Sequence, residues 1–321
     1  MPLPGLSDVH INVPLTNLSQ AIIQQEDNFV AWKLFPIVPV NKRSDAFYIF
    51  TQADFFRTDA TRRAVAASTP GVGYHLSNSS YTATPWGVHF DIDDQIRGNA
   101  DSVLDLDMAA VRRLTIDLLI RREIDWQTNF FTTSLWNADT TPTNTWDNVT
   151  STPVEDIRAR AYVMLQNTGY RPNKFAAGAF VDKRLRDHPD ILDRIKYTER
   201  GIVTADLLAA MCDVDQYLVL VASQSTSTEQ ASATATATFA FISGGKNALL
   251  TYTPSSPGLM VPAAGYSFAW TGYLGANAYG GVIRKFRMEE LRSDRVEMEI
   301  AFAHVLVAKV LGEFFSNAVA S

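Results

Sequence analysis

The stretch from Asp105 to Phe131, DLDMAAVRRLTIDLLIRREIDWQTNFF, constrains this chain more than any other. Val111, Leu114, Leu118 and Leu119 recur at helical spacing and form an apolar stripe, with Arg112, Arg113, Arg121 and Arg122 mostly off it. Asp105 and Asp107 stand at the start, where carboxylates suit the positive end of a helix. Such a helix would run about 40 Å at 1.5 Å per residue. A rod of that length has to serve as a backbone on which the remaining elements pack.

Those elements are mixed. PIVPV and DAFYIF read as strands, and ADFFRTDATRRAVAASTPGVGYHLSNSS is polar and loop-like. WGVHFDI then alternates, with Trp86, Val88, Phe90 and Ile92 on one face. Strands framing a long polar tip predict an extended β-hairpin that projects and packs on something else, because a loop of that length is unusual inside a compact domain. After a Thr-, Asn- and Pro-rich loop come a helix at 154–168, a strand KFAAGAF, helices at 181–197 and 204–211, and a strand YLVLVA. The Thr/Ala-rich stretch 223–238 fits an exposed loop or a thin edge strand. NALLTYTP and YSFAW are further strands, and DRVEMEIAFAHVL turns Val296, Met298, Ile300 and Phe302 to one side against Arg295, Glu297 and Glu299. Residues 1–34 read as an arm with a short helix. The class is α+β.

Composition narrows the function. The 321 residues are 46% hydrophobic, enough for a large core, and the net charge of −6 argues against a protein that grips DNA by its phosphates. There is no apolar run of about 18 residues to span a membrane and no basic, apolar N-terminal leader. The lone Cys212 leaves no intramolecular disulfide or zinc motif, so a reducing cytoplasm is expected.

The stretch HPDILDRIKYTERGIVTADLLAAM, from His188 to Met211, looks like chemistry. Yet Pro189 suits a first helical position, and Ile191, Leu192 and Ile195 make a buried side. His188 and Asp190 lie roughly 200° apart on a helix and do not converge. Asp190 pairs with Arg194 at i,i+4, and Thr204 is a natural N-cap for the next helix. The reading is structural, with His188 dispensable and Ile191 essential. SGGKNA lacks the upstream Gly and the Ser or Thr of a phosphate-binding loop. GYSFA around Ser267 lacks the second Gly of a nucleophile elbow, and the sequence places no His beside it. Asp91, Asp93 and Asp94 form the best acidic cluster; a divalent ion is one reading and a solvated strand-to-helix corner the favoured one. His10, His75, His89 and His304 are scattered. No catalytic, metal or cofactor site is expected. Arg57, Arg62 and Arg63 on the hairpin tip fit protein–protein salt bridges better than nucleic acid.

The order of elements resembles the major capsid protein of tailed bacteriophages, with the Hong Kong 97-type fold. LFPIVPVNKRSDAFYIF is similar to the entry to that family's E-loop, and FDIDDQIRGNADSVLDLDMAAVRRLTIDLLIRREID to its exit into the spine helix of the P-domain. HPDILDRIKYTERGIVTADLLAAM resembles the paired helices of the A-domain, and RSDRVEMEIAF a P-domain strand. The resemblance implies an N-arm at 1–34, an E-loop hairpin at 35–92, a P-domain at 93–152 and 284–321, and an A-domain at 153–283. It implies a non-enzymatic shell subunit: copies of the chain form pentamers and hexamers of an icosahedral capsid around double-stranded DNA, without sequence-specific DNA binding. It also implies a virion capsid assembled in the host cytoplasm, with a portal, a separate scaffolding protein and decoration proteins as partners. One branch crosslinks an E-loop lysine to a neighbour; residues 55–80 hold arginines and no lysine, so ionic contacts through Arg57, Arg62 and Arg63 are expected instead. An encapsulin-type nanocompartment shell shares the fold and is the alternative.

Overall fold

The computed structural model describes residues 24–50, 52–100, 105–196, 202–227, 238–258, 261–274 and 281–320. The expected arm falls largely outside them; its described part contains a short 3-10 turn, Glu26–Asn28, and the helix Ala31–Leu34.

The long helix runs from Leu106 to Phe130. Asp105 is its N-cap, and its carboxylate accepts from the Met108 N–H at 3.0 Å. Two different sheets pack along it. The first half, through Ala110, Leu114 and Leu118, meets Ile92, Val296, Ile300 and Phe302. The second half, through Trp126 and Phe130, meets Ala176, Leu249 and Phe314. Each fully buried large side chain of this kind contributes roughly 1.5–3 kcal/mol. Glu123 is buried among them; it accepts from the Ala31 N–H at 3.0 Å and from Gln127 Nε2 at 2.8 Å, and so ties the Ala31–Leu34 helix to the rod. Burial raises its carboxyl pKa.

The first sheet is organised by the strand Ser293–Leu306. One edge pairs with Thr84–Asp93, from Ser293 opposite Asp93 to Phe302 opposite Thr84. The other edge pairs with Gly281–Met288 and then with Gly265–Trp270, to which Ile37–Val40 adds in parallel. Val296, Met298, Ile300 and Phe302 face the long helix, as their alternation predicts. The partner of Ser44–Phe50 differs from expectation. It is Leu76–Thr82, read from sequence as loop, whereas the WGVHFDI strand belongs to the first sheet. LSNSSYT is exposed along most of its length, so no apolar alternation marks it as a strand.

The second sheet has the order Ala138–Thr140, Gly312–Phe315, Ala248–Thr251, Lys174–Gly178, Gln216–Leu220. Phe175, Ala177, Leu250 and Phe315 face Val154, Ile157, Val181 and Ile191, and their neighbours Ala176, Leu249 and Phe314 face the long helix. Both faces are covered, hence the near-continuous apolar runs. This sheet crosses the boundaries drawn from sequence: Ala138–Thr140 and Gly312–Phe315 lie in it, and Gly265–Trp270 lies in the other.

The helix at 154–168 is Pro153–Thr168. The one expected at 181–197 is two, Ala179–Arg186 and Pro189–Ile195, because His188 caps the second and Pro189 starts it. Ser223–Ser225 pairs with Phe239–Phe241, and 228–237 of the Thr/Ala-rich stretch lie outside the described residues. Among the described residues no helix is long and apolar enough to cross a membrane.

Candidate functional site

The stretches that look chemical are consumed by structure. His188 is 3% exposed. Its Nδ1 accepts from the Asp190 N–H at 3.1 Å, and its Nε2 donates towards Asn148 O and Ser151 Oγ, both at 3.0 Å. It therefore joins a helix start to a loop 40 residues earlier. The structural reading holds, but the expectation that His188 is dispensable does not, because three bonds and a buried ring depend on it. Asp190 pairs with Arg194 at 3.1 Å, and Thr204 Oγ1 accepts from the Leu207 N–H at 3.3 Å.

The fold does bring a histidine to Ser267: His304 lies directly opposite on the paired strand, with Nδ1 2.7 Å from Ser267 Oγ. Sequence could not show this, because strand register is a tertiary property. The pair is no nucleophile and base. Ser267 donates its hydroxyl proton to Phe35 O at 2.9 Å, so the imidazole Nδ1–H is the donor between them. The two residues are 4% and 9% exposed, and the rings of Phe35, Phe130 and Phe302 lie around the imidazole. Burial, with a smaller effect from the Arg122 charge, pushes its pKa down to about 3, far too low for a base at neutral pH.

The acidic corner is matched by arginines. Asp91 receives both arms of Arg295 at 2.7 Å, and Asp94 both arms of Arg287 at 2.6 Å. Asp93 caps the short helix Asp94–Asn99 through the Gln95 N–H at 2.7 Å. Arg97 and Lys285 converge on Asp107 at 3.0 and 2.8 Å, and Arg97 also reaches Asp294 at 3.1 Å. Hydrogen bonds from Arg97, then Lys285, hold the Asp107 carboxyl at about 2. Through Asp107 the start of the long helix is stapled to Lys285 of Gly281–Met288 and, by way of Arg97, to Asp294 of Ser293–Leu306. Among the described residues no group of three or more His, Cys, Asp or Glu is placed to hold a metal. SGGKNA is a turn: Gly244 and Gly245 have φ of 66° and 78°, and a Cβ on Gly178 would lie 2.4 Å from Gly245 O.

The far end of the hairpin touches the body through Gln52 Nε2, which donates to Asn167 O at 2.5 Å, and through Phe56, which lies against Gly169. The hairpin's base is fixed to the first sheet by Tyr81, whose ring stacks on Phe268 at 4.3 Å between centroids. At its far end the helix Gln52–Phe55 presents Asp54, which accepts from the His75 N–H at 2.7 Å and faces His75 Nδ1 at 2.9 Å. Phe50, Phe55 and Tyr74 gather beside it. Beyond, Phe56, Val65 and Val72 are exposed, Val65 completely so. Arg57, Arg62 and Arg63 are all exposed in the segment between Gln52–Phe55 and Leu76–Thr82. Arg57 pairs locally with Asp59 at 3.1 Å and more loosely with Asp54 at 4.0 Å, and Arg63 Nε donates to Ala67 O at 2.8 Å.

No family model matches the chain. The major capsid protein of Burkholderia phage BcepMu is 30% identical over 220 residues, which are 67% of this chain and 70% of that protein. A phage-related protein from Bordetella bronchiseptica has the same fold with a TM-score of 0.70 at 18% identity, over 92% of this chain and 93% of its own. The capsid of cyanophage P-SCSP1u gives 0.54 at 8% identity, over 88% and 86%. A virus-like particle from Pyrococcus furiosus gives 0.55 at 10% identity, over 95% of both chains. These three establish the fold, and the sequence relative establishes the family. The chain belongs to the phage major capsid proteins, has the Hong Kong 97-type fold, and is a structural subunit of an icosahedral capsid shell.

Proposed function

We propose that the chain works by assembly alone, with no catalysis, in a shell around the double-stranded DNA of a tailed phage. The observation that carries this is the segment between Gln52–Phe55 and Leu76–Thr82, in which Phe56, Val65 and Val72 and the three arginines Arg57, Arg62 and Arg63 are all exposed. Exposed apolar side chains in one segment mark a surface meant for a partner. The net charge of −6 suits a container that must release its genome without holding phosphates. In this reading residues 1–34 are the N-arm, 35–92 the E-loop, 93–152 with 284–321 the P-domain, and 153–283 the A-domain, except that 138–140 and 312–315 go with the A-domain sheet and 265–270 and 281–283 with the P-domain sheet. Arg57, Arg62 and Arg63 make ionic contacts with carboxylates of adjoining copies. A separate scaffolding protein, a portal and decoration proteins complete the particle, which assembles in the host cytoplasm. Electron microscopy of particles purified with the chain tests the reading. Shells packed with DNA support it; shells enclosing a cargo enzyme, or discrete soluble particles, overturn it.

A further inference from the structure

Between the hairpin and the body runs a groove of about 790 Å³. Phe47, Tyr48, Ile49 and Phe50 line one side and Tyr266 and Leu311 belong to the other. No residue lining it carries a charge. Water held against so many rings is unfavourable, which makes the groove a receptor for apolar surface. Two details define the shape of its occupant. Four consecutive residues of one strand touch the groove, although their side chains alternate between faces, so the groove runs along the edge of Ser44–Phe50. Among the described residues that strand pairs only with Leu76–Thr82, so the edge is free to take another strand.

We infer that the occupant is the segment Val9–Leu15 of this chain, added as a strand along Ser44–Phe50. Val9, Ile11, Val13 and Leu15 alternate with His10, Asn12 and Pro14, which gives an extended segment one apolar face. From Val9 to Gln25 there is no Lys, Arg, Asp or Glu, matching an uncharged groove. Main-chain bonds to the free edge give affinity, and the apolar face fills the groove. Eight residues lie between Leu15 and Gln24, whose side chain is bonded to the Ser223 main chain, a reach of at most about 30 Å at 3.3 Å per residue. Only the possibility that an adjoining copy supplies the segment rests on the shell reading.

The test places a photo-crosslinking phenylalanine analogue at position 261, on the exposed groove rim, in the full chain. Crosslinked peptides are then mapped by mass spectrometry. The expected product joins position 261 to residues 9–15, in a band of either one or two chains. Val13→Glu should lower its yield about tenfold or more by putting a charge in the groove, and Asn12→Ser should leave it unchanged. Crosslinks to another copy's hairpin, no crosslink, or a yield indifferent to Val13→Glu would each overturn the inference. Microscopy of the same sample shows separately whether shells form.

Discussion

The sheet through Lys174–Gly178 and the hairpin through Ser44–Phe50 are both made of short strands, and they differ in almost everything else. The sheet has five strands and is covered on both faces, with Phe175, Ala176 and Ala177 fully buried. The hairpin has two strands, is largely exposed and rests on the body through Tyr81 and Phe47 against Phe268 at its base and Gln52 and Phe56 against Asn167 and Gly169 at its far end. An isolated two-stranded ribbon is marginal in water. One region stabilises the molecule that carries it; the other is completed by what it touches. Substitutions in the first should cost folding, and substitutions in the second should cost assembly while the subunit stays folded.

Ile191→Asp should give the largest effect. It buries a charge against Val181 and Leu185 and should cost about 3–5 kcal/mol, seen as loss of soluble chain or a lower denaturant midpoint. A well-folded variant would mean that the helices of this region are looser than their packing indicates. His188→Ala should cost about 1–3 kcal/mol by removing a helix cap and the donor to Ser151 Oγ, and by leaving a cavity where the buried ring stood. Chemical denaturation measures it, and a change near zero would restore the reading from sequence.

Acid probes the junction between the first sheet and the long helix. The Asp107 carboxyl is held at about 2, below its ordinary 3.8, so its contribution is complete above 3.8 and is lost as pH falls through 2. Its side chain is 35% exposed, which reduces that contribution to about 1 kcal/mol. Asp107→Asn should therefore flatten stability between pH 4 and pH 2, measured by urea unfolding across that window. An unchanged slope would show that the network does not bear on folding.

The smallest effect on the subunit belongs to the hairpin. Replacing Arg57, Arg62 and Arg63 together by Gln should leave subunit unfolding within about 0.5 kcal/mol. The same change should lower the melting temperature of assembled shells, each exposed ion pair giving about 0–1 kcal/mol and many copies acting together. High salt should do likewise, and denaturing electrophoresis should show no covalent ladder. If shells melt unchanged under both treatments, the arginines serve only their own segment, as the Arg57–Asp59 pair already does.

Much was legible where one face of an element is wet and the other dry. The cap at Asp105, the run of the long helix and the alternation of Val296 to Phe302 follow from spacing, because a solvent boundary stamps its period on the sequence. The strand Leu76–Thr82 was not visible, since a ribbon wet on both faces carries no such stamp.

By itself, then, the sequence determined which segments are helix or half-buried strand, since these depend on neighbours within a few residues. Only the tertiary structure decided that Ser267 meets His304, that Asp91 and Asp94 face Arg295 and Arg287, that His188 is buried, and that Gly312–Phe315 joins the second sheet. Each of these depends on the register and pairing of residues far apart in the chain. Such pairings are set by how two apolar surfaces fit together, and the local pattern of either segment is compatible with many partners.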